Sequence, residues 1–372
     1  THRYDVDGIH LDYIRYPETW IIRGSRQEAR NNITRIVRTI HHKVKSLKPW
    51  VKLSCSPLGK FDDLTRYQSG GWNAYNKVCQ DAQGWLREGL MDQLYPMMYY
   101  DGRHFYPFAA DWSEHRYGRE IAAGLGIYRL IRSEGNWSLE AIERQMHVAR
   151  QLGLGHCYFR SRFLTDNRKG LYDFVCDFDA YPAVVPPIKF TSTTVPTAPN
   201  MQVTRTSQGD NISWSGARDN SDGDYLTYNV YASTSLPVDI TKGCNLIATR
   251  QMQQNLSVRR SANEATLYYA VTAVNRYGQE SKPASSSFNR QVSNLNTQPS
   301  LLPNDGYALN IPQFESLIQA DYLAIFSMQG ILVARKPFGP VVSITGLSKG
   351  VYELRTYNAN GTSHHVGHFV IK

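Results

Sequence analysis

Thr1-His2-Arg3-Tyr4-Asp5-Val6-Asp7-Gly8-Ile9-His10-Leu11-Asp12-Tyr13-Ile14-Arg15-Tyr16-Pro17 is the stretch on which the fold turns. Val6 to Asp12 reads as a short buried strand, entered through a turn at Asp7-Gly8 and ending in a carboxylate. Side chains alternate along a strand, so Gly8, His10 and Asp12 share one face while Ile9, Leu11 and Tyr13 share the other. In a parallel α/β barrel, polar residues at the carboxyl end of a strand face the mouth. Asp12 is therefore the leading candidate for a catalytic carboxylate. The competing assignment is a helix cap or an ion pair with Arg15. An aromatic and basic cluster of Tyr13, Arg15 and Tyr16 follows at once.

Outward from this strand, Ser25-Arg26-Gln27-Glu28 has capping-box spacing. Apolar residues at Ala29, Ile33, Ile36, Val37, Ile40, Val44 and Leu47 then predict a helix that stops before Pro49. Residues 51–55 read as a strand, 74–86 as a helix containing Trp85, and 93–99 and 121–127 as two further strands. A helix starting at Ser138 is closed by Gly153, 156–159 is a strand, and 171–178 is a last helix. Strands alternating with helices imply βαβ units and a parallel sheet. Five strands precede residue 165, whereas a closed barrel needs eight. If the first is the fourth strand of a barrel, strands one to three are absent, and an upstream segment or another polypeptide supplies them, or the sheet is open.

The pattern changes after residue 181. Residues 182–199 hold five prolines among Ser and Thr and read as a semi-rigid linker. Residues 200–292 show short alternating strands at Asn211-Ile212-Ser213-Trp214, Thr227-Tyr228-Asn229-Val230-Tyr231 and Leu267-Tyr268-Tyr269-Ala270-Val271-Thr272-Ala273-Val274-Asn275. With Arg276-Tyr277-Gly278 these resemble a fibronectin type III domain, in which Trp214 and the tyrosines are sandwich core rather than binding groups. A second linker, 293–304, precedes a small all-β segment, 305–372. Strands flank turns at Met328-Gln329-Gly330 and Asn360-Gly361. The step Leu347-Ser348-Lys349-Gly350-Val351-Tyr352 and the basic terminus resemble the sorting domain of the Bacteroidetes type IX secretion system. That resemblance implies export to a periplasmic, outer-membrane-associated or extracellular location, with contacts to envelope or secretion machinery.

Tyr4-Asp5-Val6-Asp7-Gly8-Ile9-His10-Leu11-Asp12-Tyr13-Ile14-Arg15-Tyr16-Pro17 resembles the opening signature of the glycosyl-hydrolase-like family ten. Shorter pieces extend the likeness over residues 1–181: Ser56-Pro57 with Gly59, Trp85-Leu86 with Gly89, Asp92 through Tyr99, and Gly124 through Tyr128. The resemblance implies a (β/α)8 glycosidase-like barrel of which this chain carries strands four to eight. The whole is then multidomain: a partial barrel, a fibronectin type III sandwich and a small all-β carboxy-terminal domain. A His/Arg-x-Asp pattern on the fourth strand of α-amylase-type barrels is similar in position to Asp12. The family often has Gln where Met97 stands, which removes one sugar hydrogen bond and admits a copy that binds without cleaving.

Composition bounds the chemistry. Among 372 residues, 41% are hydrophobic and 20% charged, which suits globular domains and excludes wholesale disorder. The formal charge of +9 favours anionic partners. Because the basic residues are scattered, an acidic carbohydrate is expected as the partner and nucleic acid is not. The 24 tyrosines and 7 tryptophans provide flat amphipathic rings for sugar faces. Five dispersed cysteines show neither metal spacing nor a disulfide framework and read as buried free thiols. No metal or other cofactor is called for.

Glycoside hydrolysis uses two carboxyl groups flanking the scissile bond. Asp12 supplies one, and Asp101, after the strand ending at Tyr99-Tyr100, is the preferred second. Asp62 and Asp63 are alternatives. His10 and Arg15 would orient Asp12 and the substrate. Tyr16, Trp72, Tyr95, Tyr99, Tyr100 and Tyr128 would stack on sugars, and Arg160, with Arg15, would pair with a substrate carboxylate. The reading is hydrolysis of an acidic polysaccharide of the bacterial cell-wall type. The competing one is a non-catalytic glycan-binding or adhesion protein.

Overall fold

A computed structural model describes residues 2–206, 208–223, 225–260, 266–285, 301–311, 314, 317, 320–328, 331–358 and 363–372. The chain divides into two compact units, 1–287 and 288–372. The first unit runs β1 (Gly8–Leu11), α1 (Arg26–Leu47), β2 (Lys52–Cys55), α2 (Ala74–Lys77), α3 (Ala82–Arg87), β3 (Gln93–Leu94), β4 (Met97–Met98), α4 (Gly102–Glu114), β5 (Glu120–Leu125), α5 (Leu139–Gln151), β6 (Gly155–Tyr158), α6 (Ser161–Thr165) and α7 (Leu171–Phe178). All their strand pairings are parallel. β3 and β4 lie on the same side of β5 and are separated by Tyr95-Pro96, where proline has no N–H to give a ladder. The sheet thus has five positions, β1, β2, β3/β4, β5 and β6. It is open among the described residues: β1 pairs only with β2 and β6 only with β5.

Alternation decides which face is core. Ile9 and Leu11 pack against the cluster containing Val37, Leu53, Trp85, Leu94, Phe105 and Trp112. Gly8 and His10 consequently face the other side of the sheet. α1 begins as its capping box requires, with Ser25 Oγ accepting the Glu28 N–H at 3.1 Å, and buries Ala29, Ile33, Val37 and Val44.

The structure departs from the sequence pattern in several places. The single helix expected over 74–86 is two helices, because Cys79 adopts a left-handed φ of 54° between them. Each half has its own cap: Asn73 accepts from Asn76 N–H, and Asp81 from Gly84 N–H. α4 was not evident from sequence because Pro107 lies inside it. β5 stops at Leu125, and Ile127–Leu130 is a 3-10 turn rather than strand. The five cysteines are free, but Cys176 and Cys244 are exposed rather than buried.

The same unit continues with β7 (Asn200–Thr206), β8 (Gly209–Ser215), β9 (Thr227–Ser233), β10 (Leu246–Gln251), β11 (Asn255–Arg259), β12 (Tyr268–Val274) and β13 (Ala284–Ser285). They form two antiparallel sheets, β11-β8-β7 and β10-β9-β12-β13, packed over Ile212, Trp214, Tyr228, Val230, Tyr269 and Val271. Arg250 pairs with Asp7 at 2.8 Å, and Lys52 Nζ donates to the Pro186 carbonyl at 2.8 Å. Arg276, 1% exposed, pairs with Asp5 at 2.8 Å and lies over the Trp50 ring at 5.0 Å. These contacts dock the sandwich at the amino ends of β1 and β2, leaving the carboxyl ends pointing the other way.

The second unit contains β14 (Ala308–Asn310), β15 (Tyr322–Ser327), β16 (Leu332–Pro337), β17 (Val341–Ser343), β18 (Gly350–Tyr357) and β19 (Ser363–Ile371). β14 pairs with β17, and the others form an antiparallel sheet ordered β16-β15-β18-β19 over a core with Leu323, Ile325, Leu354 and Phe369. The turn residues Gln329-Gly330 and Asn360-Gly361 lie outside the described residues, as do positions 293–300 of the second linker. No helix among the described residues is long and apolar enough to cross a membrane.

Candidate active-site cleft

At the carboxyl end of the parallel sheet, residues from all five strand positions converge on a cleft of about 410 Å³. β1 contributes His10, β2 and the residue after it Ser54 and Ser56, and the third position Tyr95 and Tyr99. β5 contributes Gly124, and the end of β6 contributes Cys157, Tyr158 and Phe159. Parallel register produces this convergence: His10 lies opposite Ser54, and Gly124 opposite Cys157. Small residues keep the floor open. At Gly124 a Cβ would stand 2.7 Å from the Pro96 carbonyl oxygen, so no larger residue fits there.

His10 is clamped. Its Nδ1 and Nε2 lie 2.9 Å from the hydroxyls of Ser54 and Ser56, and its ring meets Tyr95 edge-on at 5.5 Å. The opposite wall is aromatic, with Tyr99 stacked on Phe159 at 5.1 Å and 17°. Burial raises the phenols of Tyr95, Tyr99 and Tyr158 and pushes the Cys157 thiol up to about 11. All four are neutral donors at neutral pH. The Tyr95 hydroxyl donates to Gln93 Oε1 at 3.2 Å, whereas the Tyr99 hydroxyl has no hydrogen-bond partner among the described residues. Flat rings beside uncharged donors suit a polyhydroxylated ligand with apolar faces.

Asp12 stands just past the end of β1, exposed, with Oδ1 accepting the Tyr13 N–H at 2.9 Å. It is not among the nine lining residues, yet its charge adds to burial in raising the Tyr99 phenol and the Cys55 thiol. Tyr13, in the left-handed region at φ 54°, turns the chain sharply away here, a conformation costly for a residue with a side chain.

The remaining sequence candidates are not among the residues lining the cleft. Asp101 is exposed at the N-cap position of α4 and makes no side-chain cap bond. Asp62 accepts from the Asn73 and Asn76 amides, and Asp63 pairs with Lys60, so both brace their loop. Arg15 is nine-tenths buried, donates to Glu18 at 3.0 Å, and lies 4.2 Å from the Tyr13 ring and 5.7 Å from that of Trp72. Trp72 is half exposed beside it. Tyr16 packs against Trp20 and the core, Tyr100 against Phe108, and Tyr128 edge-on behind Tyr99 and Phe159. Arg160 begins α6, with its guanidinium over Phe163 at 5.4 Å. The structure therefore brings His10, Tyr95 and Tyr99 together, with Asp12 at their edge. Met97 packs with Leu58, Ala74 and Val78 and does not line the cleft. Ser54, Ser56, Cys157, Tyr158 and Phe159 were not singled out from sequence. Strand alternation extended from His10 across the sheet is the signal that finds the two serines.

Among solved structures, the chain is similar to an endo-beta-1,4-mannanase from Thermotoga petrophila, at 11% identity and a TM-score of 0.32, covering 71% of this chain and 62% of that one. It is also similar to a Fn3-like protein from Clostridium thermocellum, at 26% identity and a TM-score of 0.18, covering 25% of this chain and 90% of that one. Among curated proteins, glycosyl hydrolase YngK of Bacillus subtilis (strain 168) is 25% identical over 313 residues, 75% of this chain and 61% of the relative. Glycosyl hydrolase DigH of Escherichia coli (strain K12) is 28% identical over 117 residues, 26% of this chain and 27% of the relative. The chain thus spans less than two thirds of the length of either relative. By sequence it is similar to glycosyl hydrolases, and residues 25–129 match the family model Glycosyl hydrolase-like 10.

Proposed function

We propose that this chain is a glycoside hydrolase acting on an acidic polysaccharide, of the class of peptide-free bacterial cell-wall glycan. The observation that supports this most is the cleft: aromatic rings and neutral donors at the carboxyl ends of a parallel sheet, with the Asp12 charge felt at Tyr99. Similarity to glycosyl hydrolases points the same way. Asp12 serves as nucleophile or stabilising carboxylate, and Asp101 as general acid/base. His10, held between two hydroxyls, orients a sugar or Asp12. Tyr95, Tyr99 and Phe159 receive the pyranose faces, and the +9 charge draws in an anionic polymer.

The outer edges of β1 and β6 pair with nothing among the described residues. Further barrel strands, from an upstream segment or another chain, would pair there. The resemblance of residues 305–372 to a sorting domain supports export, to the periplasm, the outer membrane or the outside of the cell.

The test is release of reducing ends from purified, peptide-free glycan strands. Asp12→Asn is expected to lower turnover by at least ~100-fold; undiminished turnover removes Asp12 from the mechanism. A second reading, binding without cleavage, is favoured by one observation: none of the nine residues lining the cleft is a carboxylate. Tight retention of glycan whose chain length never falls would establish that reading instead.

A further inference from the structure

The outer face of the sheet in the second unit carries another cluster of chemistry-bearing side chains. Glu353 on β18 stands opposite His368 on β19, and Arg355 opposite His365. Two residues three apart on a regular strand point to opposite faces. Here the register slips between the Leu354–Gly367 and Arg355–His365 pairs, leaving Val366 as the extra residue of a bulge. The bulge turns His365 onto the face of His368. The reverse face of these strands is core, occupied by Tyr352, Leu354 and Phe369. One carboxylate and two imidazoles thus share one patch, their ligand atoms all within 4.8 Å of one another. His365 Nε2 lies 3.7 Å from a Glu353 carboxylate oxygen. Donors on a tetrahedral zinc, each ~2.1 Å from the metal, stand ~3.4 Å apart, so small side-chain rotations close the site.

We propose that Glu353, His365 and His368 form a binding site for a divalent late transition metal, with zinc as the best match. Imidazole with carboxylate is a donor set that zinc accepts, and three protein ligands leave a fourth position for water. Arg355 is the built-in competitor, holding both Glu353 oxygens at 2.9 and 3.1 Å. Its side chain is 41% exposed, so it can swing into solvent when the metal enters. The other such grouping among the described residues, Asp111, Glu114 and His115, has a second tie besides its arginine. Arg66 holds both Glu114 oxygens at 2.8 Å, and Gln83 donates to Asp111.

The experiment uses the full chain, stripped of metal with a chelator and titrated with zinc against a chromogenic competitor. One zinc per chain is expected. His365→Ala and His368→Ala should each weaken binding at least ~10-fold, and Arg355→Gln should tighten it several-fold. His115→Ala should change nothing. Zinc should also raise the melting temperature of the wild type, but not of the His365→Ala, His368→Ala double variant. Both histidines lie on the outer face, and an unchanged circular dichroism spectrum confirms that the variants fold. The proposal is overturned if no zinc binds, if binding survives the double substitution, if His115→Ala removes it, or if Arg355→Gln weakens it.

Discussion

The parallel sheet and the sandwich of the first unit use tyrosine in opposite ways. In the sandwich the phenols are committed: Tyr269 donates to the buried Asp210 at 2.8 Å, Tyr231 to Glu280 at 2.7 Å, and Tyr277 to Asp222 at 2.5 Å. In the cleft, the Tyr99 hydroxyl has no partner among the described residues, and the Tyr158 hydroxyl reaches only the Met146 sulfur at 3.8 Å. Burial already separates the two sets, since Tyr95, Tyr99 and Tyr158 are half-buried and Tyr231, Tyr269 and Tyr277 fully buried. Tyr99 and Tyr158 differ from the sandwich tyrosines also in their polar tips, whereas Tyr95 is held by Gln93. Packing differs in the same sense: Trp214, Tyr228 and Tyr269 fill the space between the sandwich sheets, whereas Gly124 and Ser54 line an open cleft on the parallel sheet.

Substitutions sharpen this contrast. Trp214→Ala should cost ~3–5 kcal/mol in urea unfolding, because it empties the sandwich core. Tyr269→Phe should cost ~1–3 kcal/mol, since it strips a hydrogen bond from the buried Asp210, near which Arg205 and Arg260 stand at 3.7 and 3.6 Å. Tyr99→Phe should move the same transition by less than ~0.5 kcal/mol, and a loss as large as that of Tyr269→Phe would erase the distinction.

Cysteine chemistry gives a second comparison. The Cys157 thiol is pushed up to about 11, so at pH 7.5 its thiolate fraction is ~100-fold below that of an unshifted thiol. Iodoacetamide should label Cys244, exposed beside the sandwich, far faster than Cys157, as read by mass spectrometry. The thiol and the cleft phenols all have folded-state values raised above the unfolded ones. Their contribution to stability is therefore intact below the unfolded-state values, near ~8.5 for thiol and ~10 for phenol, and is lost only as pH climbs past them. A melting temperature that drops steeply between pH 6 and 8 through these groups would contradict this assignment.

Much of this was legible in the sequence for physical reasons. Alternation along 8–12 put His10 on one face and Ile9 with Leu11 in the core, because strand period is local information. Ser25 and Glu28 announced α1 because capping is decided within one turn. The break at Cys79 was hidden, since a left-handed cysteine carries no composition signal. Ser54, Ser56 and Cys157 were equally hidden, because their place in the same cleft as His10 depends on sheet order and register across more than forty residues. Of the two carboxylates, Asp12 follows β1 with its charge felt at Tyr99, and Asp101 takes the N-cap position of α4.

The central claim is that the open end of the parallel sheet, and not the tyrosine-rich sandwich, receives glycan. Equilibrium binding of peptide-free glycan strands to Asp12→Asn, with and without Tyr99→Ala, tests it most directly. Removing the Tyr99 ring is expected to weaken binding about tenfold, ~1.4 kcal/mol. Equal affinity of the two variants would contradict it.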